Sequence, residues 1–116
     1  MKKVSFEEIG AVVATFLAGE NAKKGQMVNL SAADTVDGCS ADGKFCGLAL
    51  DVTGDGVASV QVSGFAQVLC SDSGVTPGWV ALAADGTGGV KKATGEGREY
   101  LVVSADTDAQ TAVVLL

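Results

Sequence analysis

The clearest pattern of hydrophobic and polar residues runs from Ala58 to Cys70, where the two kinds alternate. A period of two places successive side chains on opposite faces of a β-strand. One face takes Ala58, Val60, Val62, Gly64, Ala66, Val68 and Cys70. A tight hairpin at Ser63-Gly64 would set Val60 opposite Gln67 and break this apolar face. We therefore predict one long strand that bends at Gly64, because a straight strand of about 43 Å would be too long for a small domain.

Shorter apolar segments between turn-forming residues predict the other strands. They are Val12–Leu17, Gln26–Leu30, Phe45–Val52, Trp79–Ala83, Val90–Ala93, Tyr100–Ser104 and Thr111–Leu116. The residues Asp85–Gly89 should close a hairpin between their flanking strands. The chain holds 16 glycines and one proline, spread without the period of collagen. The predicted fold is all-β, a small Gly-rich barrel or sandwich of about eight short strands.

The segment from Ile9 to Leu17 permits two interpretations. Its apolar residues match helical spacing, yet Val12–Phe16 also has the β-branched and aromatic residues of a strand. We favour a strand at Val12–Leu17, preceded by an extended arm at Met1–Gly10. The lysines of the arm and the apolar run loosely resemble a secretion signal, but Glu7 and Glu8 stand where such a signal is positive. The run is also too short to span a bilayer.

Several apolar residues lie where a strand with one buried face would be polar. Phe65 and Leu69 fall on the polar face of the long strand, so another part of the chain or another subunit should cover them. The last two strands are apolar on both faces, which indicates burial in the core or at a subunit contact. Trp79 and Tyr100 are candidate interface anchors, with core packing as the alternative. The candidate interface is Phe65, Leu69, Trp79 and Tyr100.

Length and charge narrow the possible partners. The 116 residues are enough for one domain, 1–116, and the net charge is −6. Between Gly25 and Val90 the only cation is Lys44, against Asp34, Asp37, Asp42, Asp51, Asp55, Asp72 and Asp85. An acidic body repels phosphate backbones, so we expect no nucleic-acid partner. The aspartates themselves are typical of solvated turns.

The residues that carry most catalysis are absent or poorly placed. Without histidine the chain has no Ser-His-Asp or Cys-His site. The carboxylate pairs Glu96 with Glu99 and Asp106 with Asp108 lie in turn-like sequence. The segment 51–56 resembles a calcium loop only faintly, and 86–89 lacks the Lys-Ser/Thr of a phosphate loop. We therefore expect a protein that is not an enzyme and has no cofactor or metal.

The three cysteines form no Cys-x-x-Cys pair. Their odd number and mostly apolar surroundings indicate reduced thiols in a protein made in the cytoplasm. A bridge between Cys39 and Cys46 is the alternative that the sequence leaves open.

The order of the motifs resembles the capsid cement, or head decoration, proteins of tailed phages. The resemblance rests on Val13–Phe16, Lys24–Leu30, Phe45–Leu50, Val60–Phe65, Gly78–Leu82, Asp85-Gly86, Gly89-Val90, Gly97–Val103 and Thr111–Leu116. It covers nearly the whole chain, although each motif is a strand punctuated by glycine.

This resemblance implies a virion protein without catalytic residues, made in the cytoplasm of a bacterial host. Such a protein binds the major capsid protein on the outside of the head, commonly as a homo-oligomeric trimer, and stabilises the head against packaged DNA. It needs no membrane. The alternatives are another phage structural part, from the tail or a head fibre, or a non-catalytic ligand-binding β module.

Overall fold

The computed structural model describes residues 10–95 and 97–116, and these residues form strands and turns without a helix. The strands are β1 Val12–Ala18, β2 Met27–Ala32, β3 Thr35–Gly38, β4 Gly47–Val52, β5 Val57–Ser63, β6 Phe65–Leu69, β7 Gly78–Ala84, β8 Val90–Lys92, β9 Glu99–Asp106 and β10 Thr111–Leu115. The all-β prediction is confirmed, and so is a strand rather than a helix at Val12–Leu17. All of the predicted arm before Gly10 lies outside the described residues.

The first half of the chain closes into a barrel with the strand order β1-β3-β2-β4-β5. Antiparallel pairing of β1 with β5 completes the ring, and β1 also pairs with β3 in parallel. Small apolar side chains fill the interior, among them Val28, Val36, Ala49, Ala58 and Val60. Closure leaves the barrel strands without a free sheet edge, which removes a common site of aggregation.

The second half forms a five-stranded sheet with the order β6-β10-β9-β7-β8. Its inner face packs Val68, Val102 and Val114 into a core that also receives Met27 and Phe45 from the first half. Residues of both halves therefore contribute to this cluster, whereas the barrel interior forms a separate one. The predicted hairpin around 85–89 is confirmed by the antiparallel pairing of β7 with β8.

Gly64 is the point at which the chain leaves the barrel and enters the second sheet. Its φ of +91° lies in the left-handed region, and a Cβ at this position would be 2.5 Å from the carbonyl carbon of Gly10. The side-chain amide of Gln61, which is 4% exposed, donates hydrogen bonds to the Ser63 carbonyl at 3.1 Å and the Phe65 carbonyl at 2.9 Å. The predicted bend is therefore confirmed, and it divides the long segment into two strands that belong to different sheets.

The described chain has more strands than the eight or so predicted from the sequence. One addition comes from the division at Gly64, because β5 pairs with β1 and β4 whereas β6 pairs with β10. The other is β3, whose four residues contain one buried apolar side chain, Val36. Pairing with β2 and β1 defines β3, and that pairing is not visible in a local pattern.

All three cysteines are free thiols, so the Cys39–Cys46 bridge left open by the sequence is not formed. Burial, together with a smaller effect of the neighbouring Cys46, raises the pKa of Cys39 to about 11. Burial is also the main cause that raises the pKa values of Cys46 and Cys70. The thiols are thus held in the protonated, weakly nucleophilic form at neutral pH.

Candidate interaction surface

A row of large apolar side chains crosses the outer face of the second sheet. Leu115 on β10 lies opposite Phe65 on β6 and opposite Leu101 on β9. Leu101 in turn lies opposite Trp79 on β7. Directly paired residues of antiparallel strands point to the same face, with Cβ atoms about 5 Å apart. The register therefore aligns Phe65, Leu115, Leu101 and Trp79 across four neighbouring strands.

Further apolar side chains extend this row into a patch. Val113 and Val103 are half-buried neighbours of the row, and Leu69 lies farther along β6, where it is 43% exposed. The outer face consists of Phe65, Leu69, Trp79, Leu101, Val103, Val113 and Leu115. Trp79, exposed by 65%, is the most accessible of its large side chains. Large apolar side chains grouped on one face in this way mark a protein–protein surface more often than scattered exposed leucines do.

The structure brings together three of the four residues that the sequence proposed as an interface. Phe65, Leu69 and Trp79 all belong to the outer face. Tyr100 does not, because it points to the opposite side of β9 and is 6% exposed within the core. Its ring stacks on Phe45 with the centroids 5.1 Å apart, and burial raises the pKa of its hydroxyl. For Tyr100 the structure thus shows the core packing that had been the alternative.

Leu101 and Leu115 complete the outer face, and the sequence did not single them out as site residues. The signal for them was the apolar character of both faces in the last two strands. One of those faces is the core, formed by Val102 and Val114, which are almost fully buried. The other is the partly exposed outer face, so within the described chain the second face is not enclosed by the core.

Some of the aspartates serve turns, as their positions in the sequence predicted, whereas Asp37 and Asp51 lie in β3 and β4. Asp85 accepts hydrogen bonds from the backbone N–H groups of Thr87 and Gly89, at 2.7 and 3.0 Å. Asp72 accepts them from Gly74 and Lys92, and these two bonds are the main cause that lowers its pKa. Among the described residues no group of three or more Cys, Asp or Glu side chains is placed to hold a metal ion.

Comparison of the sequence with models of known protein families gives no match, and a search of curated proteins gives none either. Within the described residues there is no helix with the length and hydropathy needed to cross a membrane.

Proposed function

We propose that this protein is a capsid decoration protein of a tailed phage or prophage, which binds the outside of the assembled head and stabilises it. The outer face of the second sheet is the observation that carries this proposal. It presents partly exposed apolar side chains from four neighbouring strands, which suits contact between proteins. The resemblance of the motif order to capsid cement proteins gives the biological setting.

Neighbouring copies of the same chain are the proposed occupants of the outer face, with the trimer as the favoured assembly. Like-charged copies with a net charge of −6 repel one another, so their association needs an apolar contact. The cores of homo-oligomeric interfaces are more apolar than the rest of the protein surface. The central row of the outer face is similarly apolar, since it contains two leucines and two aromatic residues.

Head stabilisation follows from mass action and requires no chemical step. A protein that binds the assembled head but not its dissociated subunits stabilises the assembly by RT ln(1 + [L]/Kd). At a hundredfold excess over Kd this is about 2.7 kcal/mol for each site. The acidic body of the protein suits the outside of the head better than contact with packaged DNA.

Binding to heads tests this function directly. Purified protein should co-sediment with expanded, undecorated heads of its own phage and raise their melting temperature, because it binds only the assembled lattice. Heads that already carry their full complement of decoration protein serve as the control and should bind no more. Absence of co-sedimentation with the undecorated heads would refute the proposal, and labelling at the tail in electron micrographs would assign the protein to another part of the virion.

A further inference from the structure

A groove of about 300 Å³ opens on the surface of the barrel beside β1. The residues that line this β1 groove are Ala14, Thr15, Phe16, Leu17, Asp34 and Val57. Leu17 and Val57 are directly paired in the ladder of β1 with β5, so their side chains share one face. The turn between β2 and β3 is held beside β1 by a hydrogen bond of 2.8 Å from the Leu17 N–H to the Asp34 carbonyl. The groove therefore combines apolar side chains with the carboxylate of Asp34.

A ring of three copies places a specific demand on the surface of each copy. The contacts in such a ring are head-to-tail, and a head-to-tail contact joins two different surfaces of the chain. The outer face of the second sheet is proposed to meet a neighbouring copy. It therefore needs a complementary surface elsewhere on that copy.

Trp79 is the side chain of the outer face that is best placed to enter a groove. Its exposure of 65% is the highest among the large hydrophobic residues of the described chain. Tryptophans that dominate the energetics of an interface do so by filling a pocket on the partner. The indole ring needs apolar surroundings and one acceptor for its N–H group. In the β1 groove Phe16, Leu17 and Val57 supply the apolar contacts, and the Asp34 carboxylate is an acceptor.

We propose that Trp79 of one copy inserts into the β1 groove of the next copy and donates its indole N–H to the carboxylate of Asp34. The inference deepens the proposed function and rests on it for the identity of the partner, a second copy of this chain. A groove of about 300 Å³ lies at the lower end of the range for small-ligand sites, which suits one aromatic side chain better than a longer segment. Asp34 is the only charged residue among the described lining residues, so this contact does not bring the like charges of two copies together.

The fluorescence of Trp79, the only tryptophan in the chain, tests this contact without heads. Leu17→Asp alters the groove and keeps Trp79, whereas Trp79→Asp keeps the groove and removes the tryptophan. Each substitution replaces an exposed side chain, and each variant alone should associate more than about tenfold more weakly than the unmodified protein. When Trp79→Asp is added to Leu17→Asp, the two should form a one-to-one pair through the one contact that remains intact. The emission of Trp79 should then shift to shorter wavelength and saturate, because the indole leaves water.

The double variant Leu17→Asp/Trp79→Asp is the control for this titration and should cause no shift, because it has no intact groove. Leu50→Asp, on the barrel but outside the groove, should associate like the unmodified protein. If Leu17→Asp does not fold, Thr15→Asp provides the same test from a second exposed residue of the groove.

The proposal is overturned if the mixture gives no shift, if the double variant gives the same shift, or if the unmodified protein stays monomeric. It is also overturned if Leu17→Asp alone associates as strongly as the unmodified protein, which is the result expected when two outer faces meet each other. Because heads take no part, a negative result removes the groove contact and leaves head binding to be decided by co-sedimentation. If the shift occurs and heads are not bound, the contact stands and the proposed function fails.

Discussion

Replacing Gly64 with alanine should lower the free energy of unfolding by about 3 kcal/mol and the melting temperature by about 10 °C. Backbone strain and a steric clash both destabilise the alanine variant at this residue. Its φ of +91° is one that alanine adopts only with strain, and the new Cβ would lie 2.5 Å from the carbonyl carbon of Gly10 and 2.6 Å from the nitrogen of Ala11. Both of those atoms belong to the backbone, so relief requires movement of the chain itself.

Alanine substitutions at two other glycines distinguish the cost of backbone strain from the cost of the steric clash. Gly56 has a φ of +86° and no atom within 4 Å of the position that a Cβ would take, so Gly56→Ala should show the conformational cost alone, about 1 kcal/mol. Gly54 has neither a positive φ nor a close neighbour, and Gly54→Ala should change the stability by less than about 0.5 kcal/mol. Urea unfolding at one fixed protein concentration measures all three variants. A Gly64→Ala variant no less stable than Gly56→Ala would contradict the close backbone approach at the bend.

Replacing Trp79 with aspartate should weaken self-association about a hundredfold or more. Trp79 ends the apolar row beside Leu101, and truncation of a central interface tryptophan commonly costs at least about 2 kcal/mol of binding free energy. The substitution also introduces a charge where copies of the chain are proposed to meet. Because the side chain is 65% exposed, the folded monomer should lose little stability. Sedimentation equilibrium over a range of concentrations gives the association constant.

Two leucines of similar exposure provide the matched comparison for this surface. Leu69 on the outer face is 43% exposed and Leu50 on the barrel is 39% exposed. Leu69→Asp should weaken association, whereas Leu50→Asp should leave it unchanged. Equal effects of the two substitutions, or a Trp79→Asp variant that associates like the unmodified protein, would show that the outer face is not where copies meet.

The sequence predicted the strands and the bend that are visible in the local alternation of hydrophobic and polar residues. The alternation from Ala58 to Cys70 predicted one long strand with a bend at Gly64, and the structure has two strands that meet at this bend. The division into two sheets was not predictable, because it depends on the partners of each half. The strand β3 was missed for a similar reason, since Thr35-Val36-Asp37-Gly38 has a single buried apolar residue and is ordered by pairing with distant segments.

The sequence predicted the outer face only in part. The polar-face positions of Phe65 and Leu69 identified part of the outer face, since a large apolar residue at such a position indicates a cover. The row itself depends on the register of four strands, which the sequence does not specify.

Electron cryo-microscopy of undecorated heads incubated with the purified protein tests the central claim most directly. The account predicts added density on the outside of the shell, into which the fold fits with the outer face buried between copies and the side chain of Trp79 enclosed. Heads without added density, or density in which Trp79 and its row face the solvent, would contradict it.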